Sequence, residues 1–510
     1  MSSQISIDEM AAFCKQKGFV FPDSEIYGGI AGFFDYGPLG SDLKRNIKNA
    51  WWKQFVQDRD DIVGIDGTVI THPKVWEASG HVASFLDLML ECSKCGDKIR
   101  ADHFIEDNLK IAADGLKADA INKLIKNNNL KCPKCSSAFK DVEDFNLMFK
   151  TFVGPKSDNE SIAYLRPETA QLMFTNFRLV QDTARLQLPF GIAQMGRAFR
   201  NEISPRNFLF RSREFEQMEI EYFIHPDNVN ECPYMDEILD YKLIVYSAEM
   251  QQKKTKPKTM TIKQALDKKI IKTKWHGYWL AKIHKWFVDL GVDPKKFRIR
   301  QHLSDEKSHY ALDTWDLDYG FPFGYKELVG IANRTDFDLK QHMKVSGKDL
   351  RLYDQASKQK IIPYVVAEPS LGVDRSFLVF MFDAYNYDEK RENIVLKLNP
   401  SLAPIKVGVF PLVNKLEDKA REVYERIRKD FACTFDRSGS IGRRYARADE
   451  IGIPYCVTID FDTLKDKSVT IRERDTTEQI RVKIEDLSRV LCNLLTGETF
   501  AKQGKPIKNG

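Results

Sequence analysis

Residues 196–223 read GRAFRNEISPRNFLFRSREFEQMEIEYF, a strongly charged segment whose second half alternates like a β-strand. It places five arginines and five glutamates among phenylalanine, isoleucine and methionine residues. Residues 192–202 and 213–223 are predicted to pair as antiparallel strands, joined by a loop that contains Pro205. Side chains alternate between the two faces of a strand, so one face of the second strand holds Phe215, Gln217, Glu219, Glu221 and Phe223.

The charges of this hairpin have two interpretations. Burying so many unpaired charges would be costly, so they are either solvated in cross-strand ion pairs or arranged around a charged ligand. A nucleotide together with a small zwitterion would match every sign. Arginine would meet phosphate and carboxylate, phenylalanine would stack on the base, and glutamate would meet the amine and the ammonium.

Composition indicates a multidomain globular protein. The chain has 510 residues, 43% of them hydrophobic and 30% charged, which is typical of soluble proteins. No apolar run approaches the roughly 18 residues of a membrane span, and the N-terminus lacks the order of a signal peptide. Nine cysteines suggest no even disulfide framework. We therefore expect a cytoplasmic protein with no membrane partner.

A basic segment, residues 251–300, holds thirteen lysines and two arginines against three aspartates. It is either a surface for a polyanion or a solvated basic insertion. The helical spacing of Trp275, Trp279 and Trp286 favours a place in the core for its aromatic residues.

The chain divides into two predicted domains. Residues 1–400 mix short helices with alternating strands and contain insertions at about 90–145 and 225–310. Residues 403–510 follow a β-α-β-α-β order, which predicts a small sheet of mostly parallel strands covered by helices. The proline-containing stretch LNPSLAPIK (398–406) is the predicted linker, and the terminal AKQGKPIKNG is interpreted as a frayed basic tail.

Two CxxC motifs, CSKC (92–95) and CPKC (132–135), flank a segment predicted to contain a helix. Each motif offers two thiolates at a spacing suited to one tetrahedral zinc, and free thiols are the alternative. Four thiolates leave no open coordination position, so the zinc would be structural. The predicted ligands are Cys92, Cys95, Cys132 and Cys135.

The hairpin resembles the second signature motif of class II aminoacyl-tRNA synthetases, an Arg-x-Glu strand followed by a loop and an Arg-bearing strand. The third motif of that class resembles VVAEPSLGVDRSFLVF (365–380), a strand that leads into a helix. The first motif resembles the helix SDLKRNIKNAWWKQFV (41–56) followed by the strand GTVITHP (67–73). That helix carries one apolar stripe, formed by Leu43, Ile47, Trp51 and Phe55. The three motifs occur in the order of the class.

The closer resemblance is to glycyl-tRNA synthetases of the homodimeric type, and it covers nearly the whole chain. Stretches that carry it include EIYGGIAGFFDYGPLG (25–40), WEASGHVASFLD (76–87), YLRPETAQ (164–171) and GYKELVGIANRTDFDL (324–339). The resemblance implies an α+β catalytic domain built on an antiparallel sheet, with a C-terminal α/β anticodon-binding domain. It also implies a homodimer that uses ATP and magnesium to attach glycine to tRNA(Gly) through an enzyme-bound glycyl-adenylate.

Two other functions remain open at this point. One is a non-catalytic relative that keeps the fold for nucleic-acid binding, and the other is a class II synthetase for another small amino acid. The retained Arg200, Glu202, Glu327 and Arg375 argue against the first.

The resemblance assigns a catalytic role to Arg200, Glu202 and Arg375. Arg200 would bind the α-phosphate and the amino-acid carboxylate, and Glu202 would accept from the adenine amine. Phe215 would stack on the adenine, and Glu327 would coordinate magnesium. The full set of implied ATP contacts is Arg200, Asn201, Glu202, Phe210, Arg211, Phe215, Glu327, Leu328, Gly372, Asp374 and Arg375.

The resemblance also assigns a glycine pocket. Carboxylates would surround the ammonium, and Arg100 would balance their charge or reach the carboxylate. The implied contacts are Arg100, Glu168, Phe215, Gln217, Glu219, Glu368, Ser370 and Gly372.

Several of these residues keep alternative interpretations. Glu168 could cap the following helix, Arg100 could pair with Asp102 or Glu106, and Glu219 could form a cross-strand ion pair. In the C-terminal domain, tRNA phosphate is the expected partner of Arg443, Arg444 and Arg447.

Overall fold

The region up to residue 400 is built on one nine-stranded sheet. The structure is a computed structural model that describes residues 5–111, 113, 115–303, 306, 312–355 and 357–507. Its strands up to residue 400 are β1 (Val20–Pro22), β2 (Phe34–Tyr36), β3 (Ile62–Ile65), β4 (Ile70–Thr71), β5 (Leu86–Glu91), β6 (Lys98–Arg100), β7 (Glu143–Asn146), β8 (Lys150–Phe152), β9 (Ile162–Leu165), β10 (Phe190–Phe199), β11 (Glu214–Ile224), β12 (Lys242–Tyr246), β13 (Lys258–Thr261), β14 (Phe297–Gln301), β15 (Asp313–Phe321), β16 (Gly324–Asn333), β17 (Leu352–Asp354), β18 (Gln359–Ile361), β19 (Tyr364–Gly372), β20 (Tyr385–Asp388) and β21 (Asn393–Leu396). The order of the large sheet is β13-β12-β14-β15-β16-β19-β11-β10-β3.

The helices of the same region pack on the sheet or, for α5 and α6, lie in the first insertion. They are α1 (Ile7–Lys17), α2 (Pro38–Trp52), α3 (Pro73–Ala78), α4 (His81–Ser84), α5 (Ala101–Leu109), α6 (Ala118–Asn127), α7 (Ala170–Thr175), α8 (Phe177–Ala184), α9 (Ala248–Gln252), α10 (Ile262–Asp267), α11 (Lys274–Asp289), α12 (Phe337–Ser346) and α13 (Val373–Ala384).

The predicted hairpin is present in this sheet, next to the edge strand β3. Strands β10 and β11 pair antiparallel, with Gly196 opposite Gln217 and Ala198 opposite Phe215. On its other side β11 pairs antiparallel with β19, which brings Gln217 opposite Gly372. The second and third motifs are therefore neighbours, and the antiparallel fold class is confirmed.

The basic segment extends the main sheet instead of protruding from it. Strands β12, β13 and β14 form one end of the sheet, and helix α11 packs against its apolar face. Trp275 and Trp279 are fully buried, and the Trp275 ring centre lies 4.8 Å from that of Tyr222. The core position predicted for these tryptophans is confirmed.

The apolar stripe of α2 packs inside its own chain. Leu43, Ile47, Trp51 and Phe55 are fully buried, and the Phe55 ring centre lies 6.2 Å from that of Trp286. These side chains therefore form part of the core of the chain.

The first insertion is a small unit with its own core. Strands β6, β5 and β7 form a three-stranded sheet, and α5 and α6 pack on each other beside it. The intervening segment contains two helices where the sequence predicted one. We call residues 86–146 the cysteine module.

The C-terminal domain is a mixed sheet covered by helices. Its strands are β22 (Val407–Pro411), β23 (Cys433–Phe435), β24 (Tyr455–Ile459), β25 (Ser468–Glu473), β26 (Gln479–Lys483) and β27 (Lys505–Pro506), and its helices are α14 (Glu417–Ile427), α15 (Ile441–Glu450), α16 (Thr463–Asp466) and α17 (Leu487–Leu495). The predicted strands β23, β22 and β24 are parallel, whereas β25, β26 and β27 continue the sheet antiparallel. Only half of the sheet is therefore parallel.

Residues 500–506 are not a frayed tail. Phe500 is buried with its ring stacked on Tyr455, and β27 pairs with β26. Residues 508–510, the end of the predicted tail, lie outside the described part of the chain.

The linker is buried rather than free. Leu398, Leu402 and Ala403 are almost completely inaccessible. Asn46 donates hydrogen bonds to the carbonyl oxygens of Leu402 and Ala403, and Arg474 Nη2 donates to that of Leu398 at 2.8 Å. Both domains therefore form hydrogen bonds with this segment. Within the described part of the chain, no helix combines the length and apolar character needed to cross a bilayer.

Candidate active site

A cleft on one face of the large sheet collects most of the predicted ATP contacts. It lies above β11, β16 and β19 beside the start of α13. Its lining includes Arg200, Glu202, Phe210, Arg211, Phe215, Gln217, Glu327, Leu328, Ser370, Gly372, Asp374 and Arg375. Of the predicted ATP contacts, Asn201 alone does not line it, and its backbone N–H donates to the carbonyl oxygen of Leu147.

Two arginines of the cleft lie over aromatic rings. The guanidinium carbon of Arg200 lies 5.3 Å from the ring centre of Phe215 and 5.4 Å from that of Phe85. Arg375 lies over the Phe210 ring at 4.5 Å and donates to the Glu327 carbonyl oxygen at 3.0 Å. Stacking on aromatic faces holds each planar guanidinium while leaving donors for an anion.

Glu202 lies at the buried end of the cleft with Arg211 beside it. The side chain of Glu202 is 9% exposed, and its Oε2 atom lies 3.7 Å from Arg211 Nε. That oxygen accepts no hydrogen bond from the described residues. A buried acceptor without a donor is costly, so this position is suited to an amine of a ligand.

Asp374 supports the cleft from below. Its Oδ2 atom accepts from the Glu216 N–H at 2.7 Å, and its Oδ1 atom accepts from the Tyr36 hydroxyl and from Lys44. These bonds fix the start of α13 to β11 and α2. The contacts of Asp374 are thus structural, although its side chain reaches the wall of the cleft.

Three carboxyl groups form a cluster beside the cleft, and each belongs to a different segment. Glu168 precedes α7, Glu219 is on β11 and Glu368 is on β19. Glu168 receives a hydrogen bond from Gln171 at 3.0 Å, and its Oε2 atom lies 3.3 Å from His81 Nε2. Helix α7 has no side-chain cap, so the capping role considered for Glu168 is wrong.

Glu219 is held by neutral donors. Its Oε2 atom accepts from the Thr169 N–H at 3.0 Å and from the Thr169 hydroxyl, and its Oε1 atom accepts from Gln217 and Ser370. No cation-containing ion pair of Glu219 occurs among the described residues, so the cross-strand ion pair considered for it is not formed.

The pKa values of the clustered carboxyl groups are shifted in different directions. Burial and the neighbouring Glu219 and Glu168 raise the pKa of Glu368 to about 8, against the opposing effect of Arg334. Burial and Glu168 also raise the pKa of Glu219, against its hydrogen bonds from Ser370 and Thr169. Burial would raise the pKa of Glu168 as well, but His81 and Arg334 lower it. A cationic ligand would favour the ionised form of all three groups.

Two further residues of this cluster were not predicted as site residues from the sequence. Arg334 is 1% exposed and pairs with Glu368 at 2.6 Å and with Asp338 at 2.8 Å. Glu221 is fully buried, and neither of its carboxyl oxygens has a hydrogen-bond partner among the described residues. The alternation along β11 placed Glu221 on the ligand face, which was the signal available for it.

Arg100 is paired as its alternative interpretation proposed. Its guanidinium donates to Asp102 at 2.7–2.9 Å and forms an ion pair of 2.9 Å with Asp87. Arg100 does not line the cleft, so its predicted contact with glycine remains a prediction.

The four predicted zinc ligands converge in the cysteine module. Their Sγ atoms all lie within 4.8 Å of one another, with 3.4 Å between Cys92 and Cys135 and 3.7 Å between Cys95 and Cys132. Tetrahedral zinc with Zn–S bonds of about 2.3 Å separates its sulfur ligands by about 3.8 Å, so this geometry fits the metal.

The two CxxC motifs also fold alike, which supports a shared ligand. In each motif the residue after the second cysteine has a positive φ, 68° at Gly96 and 56° at Ser136. In each, that residue donates its N–H to the carbonyl oxygen of the first cysteine.

The C-terminal arginines are mostly occupied. Arg444 is 2% exposed and donates to the carbonyl oxygens of Pro411 and Gly439, so its expected contact with tRNA phosphate is wrong. Arg447 bonds Asp436, whereas Arg443 is exposed.

Family models match both domains. Residues 149–384 match the tRNA synthetase class II core domain (G, H, P, S and T), and residues 406–494 match the anticodon binding domain. The boundary between the two matches coincides with the buried linker.

Whole-chain relatives share one name. The chain is 45% identical to the glycine–tRNA ligase of Caldanaerobacter subterraneus over 499 residues, which are 96% of this chain and 99% of that protein. Identity to the glycine–tRNA ligase of Ruminiclostridium cellulolyticum is also 45%, over 97% of this chain and 99% of that protein. The glycine–tRNA ligase of Geobacillus thermodenitrificans is 45% identical over 95% of this chain and 97% of its own length. With both family models, the cleft and these relatives in agreement, the chain belongs to the glycine–tRNA ligase family of class II aminoacyl-tRNA synthetases.

Proposed function

We propose that this protein attaches glycine to tRNA(Gly) in two steps. The glycine carboxylate attacks the α-phosphorus of ATP, which forms glycyl-adenylate and releases pyrophosphate. A ribose hydroxyl at the 3′ end of the tRNA then attacks the adenylate carbonyl, which forms glycyl-tRNA and releases AMP.

One observation carries this proposal: the arginine-lined cleft and the buried carboxyl cluster meet at a wall formed by Gln217 and Ser370. Gln217 and Ser370 line the cleft that holds Arg200, Arg211 and Arg375. Both side chains also donate hydrogen bonds to Glu219 of the carboxyl cluster. An amino acid that lies across this wall presents its ammonium to carboxylates and its carboxylate to arginines.

Arg200 would stabilise the transition state of activation. The reaction brings the negative glycine carboxylate to a negative phosphate, so charge must be neutralised where the new bond forms. Because the nucleophile is already ionised, little acid–base chemistry is needed, and positioning supplies most of the catalysis. The stacked Arg200 guanidinium can supply both charge and fixed orientation.

The adenine would lie between aromatic and cationic side chains. Phe215 offers one stacking face, and Arg375 over Phe210 offers another. The unpartnered Glu202 Oε2 atom would accept from the exocyclic amine. This arrangement explains a buried carboxylate that otherwise lacks a hydrogen bond.

Magnesium would enter with the triphosphate. Glu327 is the fitting ligand because its side chain is 50% exposed at the mouth of the cleft, 3.4 Å from Arg375 Nη1. Bound magnesium would neutralise charge on the outer phosphates.

Glycine would be chosen by crowding and by charge. Hydrogen bonds from Thr169, Gln217 and Ser370 hold the Glu219 side chain in place, so it would not move aside for the Cβ of a larger amino acid. Steric rejection of a larger substrate requires no second, editing site.

The C-terminal domain would bind the anticodon. Val413 and Phe461 follow the carboxyl ends of the parallel strands β22 and β24, and Leu464 is in α16. These three side chains are 38–58% exposed, and bases can stack on an exposed phenylalanine. A cytoplasmic location follows from the substrates and from the reduced thiols that a zinc site needs.

The direct test is ATP–pyrophosphate exchange with each amino acid in turn. We expect exchange with glycine alone, and exchange with another amino acid or with none would reject the proposal. Arg200→Ala should abolish exchange while the protein remains folded. Arg178→Ala, at a half-exposed arginine on α8, should leave exchange unchanged.

We also propose a homodimer, as in the family that the sequence resembles. Sedimentation equilibrium should give twice the mass of the 58.9 kDa chain. A concentration-independent monomer that retains exchange activity would reject it.

A further inference from the structure

We call residues 200–213 the nucleotide-binding loop. The two residues that flank the cysteine module, one on each side, both contact the start of this loop. Phe85, just before the module, stacks on Arg200 at 5.4 Å. Leu147, just after it, accepts a hydrogen bond of 2.8 Å from the Asn201 N–H. The strands that enter and leave the module are therefore fixed to the base of the loop.

Helix α5 of the module touches the rest of the loop. The Arg100 N–H, at the start of the helix, donates to Ser204 Oγ at 3.4 Å. Asp107 forms an ion pair of 3.5 Å with Arg206. These contacts are spaced along the helix and along the loop, so the two segments lie side by side.

The contact nearest to the cleft joins His103 and Arg211. The His103 Nε2 atom lies 3.3 Å from Arg211 Nη1. Because a guanidinium can only donate, Nε2 accepts and the ring proton is on Nδ1. Burial and the nearby Arg100 and Arg211 lower the pKa of His103 to about 3, so the ring is neutral and suited to accept.

Arg211 has few other constraints. Among the described residues its guanidinium makes one hydrogen bond, to His103, and its remaining charged contact is with Glu202 at 3.7 Å. A long arginine side chain with rotamer freedom loses entropy when a ligand orders it, and a partner that orders it beforehand improves binding.

We propose that the cysteine module clamps the nucleotide-binding loop and that His103 is a positioning residue that aims Arg211 at ATP. This inference rests on the proposed function, because it takes ATP as the ligand of the cleft. It gives the predicted zinc site a purpose beyond local folding: the four cysteines hold together the module on which α5 is mounted.

The test is equilibrium binding of ATP to the full-length protein. His103→Ala should weaken ATP binding by about tenfold, the scale of one lost hydrogen bond to a charged group. His103→Gln should restore most of the affinity, since its amide oxygen can accept from Arg211. Lys123→Ala, an exposed position on α6 of the same module, should bind ATP as the parent does. Glycine KM should not change in any of the three variants.

A double-mutant cycle separates positioning from general damage. If His103 acts through Arg211, adding His103→Ala to Arg211→Ala should weaken ATP binding no further. Amide hydrogen exchange in residues 204–213 should also become faster in the His103→Ala variant, whereas in the Lys123→Ala variant it should stay as in the parent. Additive losses, or an unchanged affinity in His103→Ala, would overturn the inference. Failure of the parent to bind ATP would instead reject the proposed function.

Discussion

Arg334 Nη1 lies 2.6 Å from Glu368 Oε1, and the two side chains are only 1% and 8% exposed. The same guanidinium forms two further bonds to Asp338. Arg334 thus belongs to a buried cluster that also contains Glu168, Glu219 and Glu221. The cluster has more carboxyl groups than cationic groups among the described residues, and the ammonium of glycine would balance their charge.

Glycine binding is expected to release protons. In the free protein the pKa of Glu368 is raised to about 8, so this carboxyl is mainly protonated at neutral pH. An arriving ammonium favours the carboxylate and expels the proton, so glycine affinity should increase as the pH rises from about 6 to about 8. Calorimetry in two buffers of different ionisation enthalpy measures the release. Equal binding heats in both buffers would contradict the prediction.

Replacing Arg334 by alanine should strongly destabilise the protein. The change leaves the carboxyl groups of Glu368 and Asp338 buried without the donor that they share, and breaking such a buried pair typically costs about 3–5 kcal/mol of unfolding free energy. Urea unfolding measures the loss. The half-exposed Arg178→Ala should change stability by less than about 0.5 kcal/mol. Similar losses in the two variants would refute the special role of Arg334.

Glu221→Gln should stabilise the protein as the pH rises. Burial and Glu368 raise the pKa of Glu221 well above its ordinary value, so ionisation of this group opposes folding. Its unfavourable contribution is absent below the unfolded pKa of about 4.5 and grows as the pH increases towards the folded pKa. We expect the variant to match the parent near pH 4.5 and to exceed it at alkaline pH in urea unfolding. Glu214→Gln, at a partly exposed position of the same strand, should follow the parent throughout.

Purified protein should contain one zinc ion for each chain. Cys132→Ser removes one thiolate of the four and should lower the zinc content measured by mass spectrometry. Cys492→Ser, at an exposed cysteine outside the module, should retain the metal. A parent protein without bound metal would refute the zinc site.

Phe500→Ala should destabilise the C-terminal domain. Phe500 is 7% exposed and stacks on Tyr455, so its truncation removes packed surface and should cost about 3 kcal/mol. The exposed Lys502→Ala provides the control, and thermal unfolding followed by circular dichroism measures both. Equal midpoints would show that the terminal segment is as loose as its sequence suggests.

The parts of the fold that repeat a pattern were predictable. Alternation along residues 213–223 predicted both the strand and its ligand face, because a period of two permits one register only on a buried face. The helical spacing of the tryptophans in 274–289 predicted a buried helix for the same reason. The resemblance of the motifs then supplied what periodicity lacks, namely which strands are neighbours.

The parts that depend on distant partners were not predictable. In the sequence, Arg334 and Arg444 look like ordinary surface arginines. Neither spacing nor composition reveals that Arg334 pairs with a carboxylate and that Arg444 donates to a carbonyl oxygen. The terminal strand β27 is short and polar, and only pairing with β26 makes it a strand. Asp374 likewise shows its structural bonds only once α2 and β11 come together.

Asn46 of the N-terminal region and Arg474 of the C-terminal domain both donate hydrogen bonds to the segment 398–406. Because separating the two domains would break some of these bonds, we expect the segment to resist such a movement. For a tRNA bound to both domains, the distance between the anticodon and the reactive end would then be set by the protein as well as by the RNA.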